Sequence, residues 1–438
     1  MENPKYKIFK GPLVNPRSDT ECDFWASGFL ILEKQQSTDY TIYYAGPRQD
    51  LNHVVSQGCS YEIIDSHDCL IMPGLVDLHF HWVQDDVRHA PKKALLKWLE
   101  YYTWPHEEKF ADESFSRSKA SEFAEHLAKV GTLSGAVYGS PHPHTVHHAH
   151  EFLIGDFVIG NVLMTMNCPI NLQQTTEQAY LQLKQLAKTY THRYAVTPRI
   201  AAVTDPQLMT QAAHVANQTM AFVQTHLSET QDEVKWVLDI YKQLPGFEDV
   251  TSYTEVYDRC QLLHKRTILG HCNHLTRDEL QLIQDRKSAI AHCPTSNAPI
   301  ANGGLESGLF NFKRAEQYNI PWGLGSDIGG GPWLSMFDVI HGFVEQHKQH
   351  GHNEATYTKG LYRSTLKSAE ILQMDKQQGN LLPGKWANFI LVPFPTTGKK
   401  YQQAENVFYD LITPYANDRS QYENIVKETY YRGRKVFP

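Results

Sequence analysis

The chain has 438 residues, a formal net charge of −7 and 41% hydrophobic residues. That length exceeds one simple domain, that apolar content supplies a large core, and the acidic balance argues against a nucleic-acid partner. The start, Met1 to Lys5, shows no apolar signal core, and no apolar run approaches the roughly 20 residues of a membrane span.

Residues 1–70 read as short strands and turns. Ser27–Leu32 and Tyr40–Tyr44 are β-like, with turn signals at Gly46, Pro47 and Asn52. The texture changes near Met72. Pro73 and Gly74 mark a turn, and an apolar run follows that ends in His79, Phe80 and His81. Alternate residues of a strand face the same way, so His79 and His81 point together. Two neutral imidazoles on one rigid face are how a Zn or Fe site begins. Alone, such a pair is more often two ordinary half-buried histidines.

Beyond this point apolar runs alternate with helix-period segments. The runs are Leu70–His81, Leu133–Tyr138, Gly160–Met166, Tyr194–Ile200, Met220–His226, Arg266–His271, Ser288–Cys293 and Ile320–Asp327. About eight such runs are what a closed (β/α)8 barrel needs. Between them, Ser114–Val130 is an amphipathic helix closed by Gly131. Asp205 caps a helix that starts with Pro206 and carries Leu208, Met209, Ala212, Ala213 and Ala216 on one face. Thr276 and Glu279 form a capping box ahead of Leu280 and Ile283.

Strand-like texture returns after residue 380, in Phe389–Pro393 and Glu428–Arg432. The expected fold is therefore α/β: a distorted (β/α)8 TIM barrel over 71–378, flanked by a β-sandwich made from 1–70 and 379–438.

Polar residues recur at the carboxyl ends of the barrel runs, where barrel active sites lie. One run ends in His226, with Glu229 three residues on. The next ends in His271, another in His292, and the last in Asp327. In a closed barrel these ends converge, and His79, His81, His226 and Asp327 then form an N3O site with room for water. The 23 histidines of the chain call for such a metal explanation. The seven scattered cysteines show no zinc-finger spacing and fit reduced thiols in the cytoplasm.

Taken in order, Pro73-Gly74-Leu75-Val76-Asp77-Leu78-His79-Phe80-His81, His226-Leu227-Ser228-Glu229, Gly270-His271, His292 to Asn297 and Gly325-Ser326-Asp327 resemble the amidohydrolase superfamily. Leu96–Pro105, Val196–Arg199, His226–Val234 and Asp327–Asp338 narrow the resemblance to the guanine deaminases within it. The resemblance implies that His79, His81, His226 and Asp327 hold one divalent metal, usually zinc, with iron(II) the alternative. It implies that Asp327 takes a proton from the attacking water, that Glu229 shuttles protons, and that His271 hydrogen-bonds the attacking hydroxide or the tetrahedral centre. Gln84 and Arg199 resemble the family's contacts to the purine base.

Binuclear relatives carry a bridging carboxylated lysine or glutamate at a middle strand end. Met166-Asn167 and Pro198-Arg199 offer neither, so one metal is expected. The implied reaction is hydrolytic deamination of guanine, a small-molecule substrate, to xanthine and ammonia in a cytoplasmic homodimer with no nucleic-acid or membrane partner. The first alternative keeps the mechanism and changes the ring to an 8-oxopurine, pterin, cytosine or triazine. The second is a non-catalytic scaffold of the same fold, which loss of ligands would mark; here all are present.

Two positions depart from the family pattern. Ile200 stands where an aromatic is expected, and Trp82 where a small residue is expected. Trp82, Trp104 and Trp333 are candidates for stacking walls, with core packing the stronger reading. His292 and Asn297 are expected to brace their loop, and Cys272 and Cys293 to be inert buried thiols. The histidine-rich run His142–His150 reads as a solvated loop and helix start.

Overall fold

The computed structural model describes all residues except 1–3, 37, 51–54, 56–57 and 396–397. The turn expected at Asn52 lies outside the described residues. The chain forms two compact units.

The first unit comprises Met1–Asp77, Glu125–Ser134 and Trp333–Pro438. Strands from both terminal segments join one eight-stranded sheet. Its centre is the long strand Tyr6–Pro16, which forks the sheet. Tyr6–Lys10 pairs in parallel with Tyr61–Asp65, and beyond a register shift at Gly11 and Leu13 the strand pairs with Cys69–Pro73. Phe389–Pro393 lies antiparallel on Cys69–Pro73, which stitches the carboxyl-terminal segment to the amino-terminal one. Side chains alternate across a strand. Phe9, Leu30, Leu32, Ile42, Ile71, Phe389 and Leu391 therefore collect in one core cluster, and Tyr6, Ile8, Phe29 and Ile31 in another. The expected turn at Gly46 and Pro47 is instead the end of the strand Tyr40–Pro47.

The second unit comprises Leu78–Ala124 and Gly135–Pro332, the chain passing between units inside the strands Leu75–His81 and Thr132–Tyr138. Six strands run side by side: Val162–Leu163, Ala195–Pro198, Phe222–Leu227, Thr267–His271, Ala289–His292 and Trp322–Leu324. Every pair in that series is parallel. Leu75–His81, Thr132–Tyr138 and Asp156–Gly160 form a second arc. A bridge between Ile159 and Tyr194 joins the arcs at one side. At the other, the Asp327 N–H donates to the His79 carbonyl at 2.8 Å. The result is a (β/α)8 barrel whose third strand is interrupted at the buried Asn161.

The strands are buried along their whole length, as expected of parallel strands covered on both faces. The third strand starts at Asp156, ahead of the expected Gly160, and the first run splits at Gly74 into Cys69–Pro73 and Leu75–His81. The expected helices occur. Asp205 caps Pro206–Thr219 through the Leu208 N–H, Thr276 and Glu279 cap Arg277–Arg286, and Glu113–Lys129 ends before Gly131. Among the described residues no helix is long and apolar enough to cross a membrane.

Candidate active site

Five side chains from four strand ends meet at the barrel mouth. His79 and His81 project together from the end of Leu75–His81, the alternation read from the sequence. His226 is the penultimate residue of Phe222–Leu227, His271 closes Thr267–His271, and Asp327 follows Trp322–Leu324. The approach is tight. A Cβ on Gly325 would stand 2.8 Å from the His79 Cβ, so only glycine fits beside that histidine. His271 and Asp327 both sit at positive φ, 66° and 47°, a costly backbone state for residues with side chains and one concentrated at functional sites.

Donor atoms face one another across a small gap. His81 Nε2 is 3.1 Å from His226 Nε2. Asp327 Oδ1 is 3.4 Å from His79 Nε2 and 3.6 Å from His81 Nε2. Donors about 2.0–2.1 Å from an ion at tetrahedral angles stand about 3.4 Å apart. His79, His226, His271 and Asp327 also offer ligand atoms within 4.8 Å of one another.

The hydrogen-bonding chemistry points the same way. His226 Nδ1 lies 2.7 Å from the Arg199 carbonyl, which can only accept, so Nδ1 carries the proton and Nε2 presents a lone pair to the gap. His81 Nδ1 and His271 Nε2 are buried with no hydrogen-bond partner. Burial pushes His79, His81 and His226 below the ordinary imidazole value, toward the neutral form that binds metal. The His226 Nε2 lone pair facing His81 Nε2, a carboxylate and near-tetrahedral spacing together fit one divalent cation.

Glu229 stands beside this cluster. Its Oε2 is 3.5 Å from His271 Nε2, while its Oε1 accepts from the Ser307 hydroxyl at 2.8 Å. Its backbone is also held: the Glu229 N–H donates to Glu233 Oε2 at 2.7 Å, and Asn273 donates to its carbonyl at 3.1 Å. Glu233 belongs to the capping box of Gln231–Tyr241, so the helix start fixes the loop that carries Glu229. Burial raises the Glu229 carboxyl above its ordinary value and favours the protonated acid. Asn297 accepts from His271 Nδ1 at 2.9 Å and orients that ring, and Ser296 donates to Asp327 Oδ2 at 2.5 Å.

A cavity of about 30 Å3 lies against the cluster. His81, His226, Glu229 and Asp327 line it together with Gln84, Arg199, Ile200, Leu95, Trp98 and Leu99. Arg199 and Gln84 are joined by a residue that the sequence reading missed. Glu107, fully buried, accepts from Arg199 Nη1 at 2.5 Å and from Gln84 Nε2 at 2.8 Å. Trp98 is the second omission. It lies on a short helix, Leu95–Trp98, that passes into a π-helical turn at Leu99–Thr103.

The proposed stacking tryptophans are elsewhere. Trp82 packs edge-on against Phe110 at 5.2 Å and tilted against Phe123 at 6.5 Å. Trp104 lines a separate cavity of about 760 Å3 that includes no residue of the cluster, and Trp333 falls in the first unit. The histidines of 142–150 turn to different partners: His144 to the Phe110 carbonyl, His147 to Tyr190, His148 to Ser116. Four of them lie on the helix His144–Phe152. Burial raises the Cys272 thiol well above its ordinary value, in keeping with an inert group.

A model of the amidohydrolase family matches residues 70–427. The chain belongs to the amidohydrolase family. That family is metal-dependent, and the buried His/His/His/Asp cluster fits its metal site. Among curated amidohydrolase relatives, the guanine deaminase of Escherichia coli (strain K12) is 33% identical over 382 residues, 84% of this chain and 83% of that protein. The guanine deaminase of Dictyostelium discoideum is 32% identical over 410 residues, 87% and 88% of the two chains. The solved structure of the E. coli guanine deaminase matches with a TM-score of 0.86 at 28% identity, covering 98% of this chain and 99% of that one.

Proposed function

We propose that this chain hydrolyses guanine to xanthine and ammonia, with one zinc ion held by His79, His81, His226 and Asp327. The observation that carries the reading is the meeting at one cavity of an acid beside a metal-type cluster, Glu229, with the Arg199 and Gln84 side chains that buried Glu107 joins. The curated relatives that share this family carry the same activity by name.

Guanine C2 belongs to a cyclic amidine, which water alone attacks slowly. When bound, the ion supplies Lewis acidity, bringing the pKa of water from 15.7 to roughly 7. Asp327 takes the proton of the attacking water. His271, its ring set by Asn297, steadies the attacking oxygen. Glu229 gives its proton to ring nitrogen N3 as the C2–O bond forms, so negative charge does not build up there. It then takes the proton of the new C2 hydroxyl and carries it to the 2-amino nitrogen, and the proton held by Asp327 returns Glu229 to its acid form. The C2–N bond breaks, ammonia leaves and the ring returns to its oxo form as xanthine.

Ser307 ties one oxygen of Glu229, which leaves the other to face the reaction. Arg199 reads the O6 and N7 edge as a guanidinium reads guanine elsewhere, and Gln84 meets the pyrimidine-side atoms. These residues all fall within the segment 71–378, the proposed catalytic domain, with 1–70 and 379–438 as its partner. A cytoplasmic location is supported by the seven free thiols. A homodimer is proposed on the family resemblance, to be read by analytical ultracentrifugation.

The deciding experiment is ammonia release by the purified, metal-analysed protein over guanine, 8-oxoguanine, pterin, cytosine and triazine. The reading expects guanine to give the highest kcat/KM and xanthine as product. Guanine turnover that is minor beside another ring transfers the assignment to that ring. A metal-free folded protein without turnover removes the enzyme reading altogether.

A further inference from the structure

Glu107 is a fully buried carboxylate outside the metal-type cluster, and no step above uses it. It closes the short helix Trp104–Glu107, and its two oxygens are both engaged: Oε1 by Gln84 Nε2 at 2.8 Å, Oε2 by Arg199 Nη1 at 2.5 Å. Paired with Arg199 and Gln84, its two oxygens both accept. A carboxylate that only accepts cannot face an amide oxygen. The NH2 end of Gln84 is therefore pinned to Glu107, and its Oε1 end turns away. Gln84 lines the cavity, and a Cβ on Gly329 would stand 2.2 Å from Oε1, so the bare glycine leaves that oxygen its place.

We infer that Glu107 is a positioning residue that sets the orientation of the Gln84 amide and thereby makes the site select a 6-oxo purine over a 6-amino purine. The inference rests on the deaminase reading. With Glu107 in place the cavity presents an acceptor, Gln84 Oε1, beside the donors of the Arg199 guanidinium. Guanine, with C2 toward the cluster, presents the complement: a donor at N1–H and an acceptor at O6. 2,6-Diaminopurine carries the same 2-amino group but reverses both, with a lone pair at N1 and N–H at position 6. Against it the site sets lone pair to lone pair and N–H to N–H, the kind of unpaired burial that rejects an analogue by orders of magnitude.

The test compares kcat/KM for guanine and 2,6-diaminopurine in the wild type, Glu107→Gln and Glu107→Asp, with metal content measured alongside. The wild type should prefer guanine by at least about 10^3. In Glu107→Gln the new amide accepts either end of Gln84. The preference should drop about tenfold or more, with KM for guanine raised and metal content unchanged. Glu107→Asp keeps a charge for Arg199 while withdrawing from Gln84 and should lose part of the preference. A purely structural role would lower both substrates alike. A preference unchanged in either folded variant overturns the inference while leaving the deaminase reading intact. Comparable turnover of both bases by the wild type overturns it without any variant. Absence of guanine turnover in the wild type overturns the deaminase reading itself.

Discussion

The two walls of the cavity are built from different materials. On one side, His79, His81, His226 and His271 stand at the ends of parallel barrel strands, and Asp327 is tied to the first of them by a backbone hydrogen bond. On the other, Leu95, Trp98, Leu99 and Glu107 stand on a run of short helices that passes from α to π to α to 3-10 between Leu95 and Ala111. Strand ends in a closed barrel cannot shift singly, because each is laddered to its neighbours. A run of single helical turns has few internal hydrogen bonds to lose, and π-turns recur at functional sites. The comparison teaches that the metal-type cluster and Arg199, which follows the strand Ala195–Pro198, are placed on the stiffest part of the unit, while Trp98 and the carboxylate that joins Arg199 to Gln84 stand on a part that can adjust.

The comparison is broken most severely from the strand side. His226→Ala deletes the lone pair that faces His81 and leaves the Arg199 carbonyl without its donor. Elemental analysis should show metal content at background, and turnover should vanish with it. Full metal occupancy would mean that the cluster does not act as one site. Glu229→Gln is the next largest effect. It keeps shape and, through Oε1, the bond from Ser307, but cannot give a proton. Metal content should stay at the wild-type level while kcat falls by about 10^2–10^4, the usual range for a lost acid–base group.

Much of the strand wall was open to sequence reading because its period is short. A spacing of two places His79 and His81 on one side, and a histidine or aspartate closing an apolar run falls where barrel chemistry lies. The helical wall was closed to it. Glu107 gains its role from Arg199, 92 positions away, and nothing local separates it from the other 47 acidic residues of a chain that holds 48. Trp98 was passed over because the i, i+3, i+4 spacing of Leu95, Trp98 and Leu99 marks a shared helix face without telling a core face from a cavity wall. Trp82 was read chiefly as core packing, and the structure agrees. It follows His81 directly, but the 3-10 turn Trp82–Val87 rotates it into packing on Phe110.

A subtler effect concerns how the strand wall holds its acid. Glu233 accepts the Glu229 N–H, yet burial raises its carboxyl from 4.5 to about 7, with the Glu229 charge adding to the shift. The sign follows from the proton count. Between pH 4.5 and 7 the folded protein holds a proton on Glu233 that the unfolded chain has released. Folding stability therefore falls as pH rises through that window and is flat with respect to this group below it. The full difference is about 3 kcal/mol at 1.36 kcal/mol per unit. Urea unfolding of the wild type at pH 5 and pH 8 should show the loss, and Glu233→Gln, which keeps an acceptor for Glu229, should remove most of the slope. An unchanged slope would show that the capping carboxylate is not the group that titrates.

The smallest expected effect lies on the soft wall and bears on the position where the chain departs from its family. Ile200 lines the cavity where an aromatic was expected, and Trp98 lines it as well, with the Lys92 ammonium 4.8 Å over its ring and bonded to the carbonyls of Gly329 and Gly330. The aromatic surface lost at Ile200 is thus supplied from the helical run. Trp98→Ala should raise KM for guanine roughly fivefold, about 1 kcal/mol for one lost aromatic contact, and leave kcat and metal content nearly unchanged. Trp98→Phe should recover most of the loss. A fall in kcat instead of a rise in KM would mean that the helical wall takes part in the chemistry, and the division between the two walls would no longer hold.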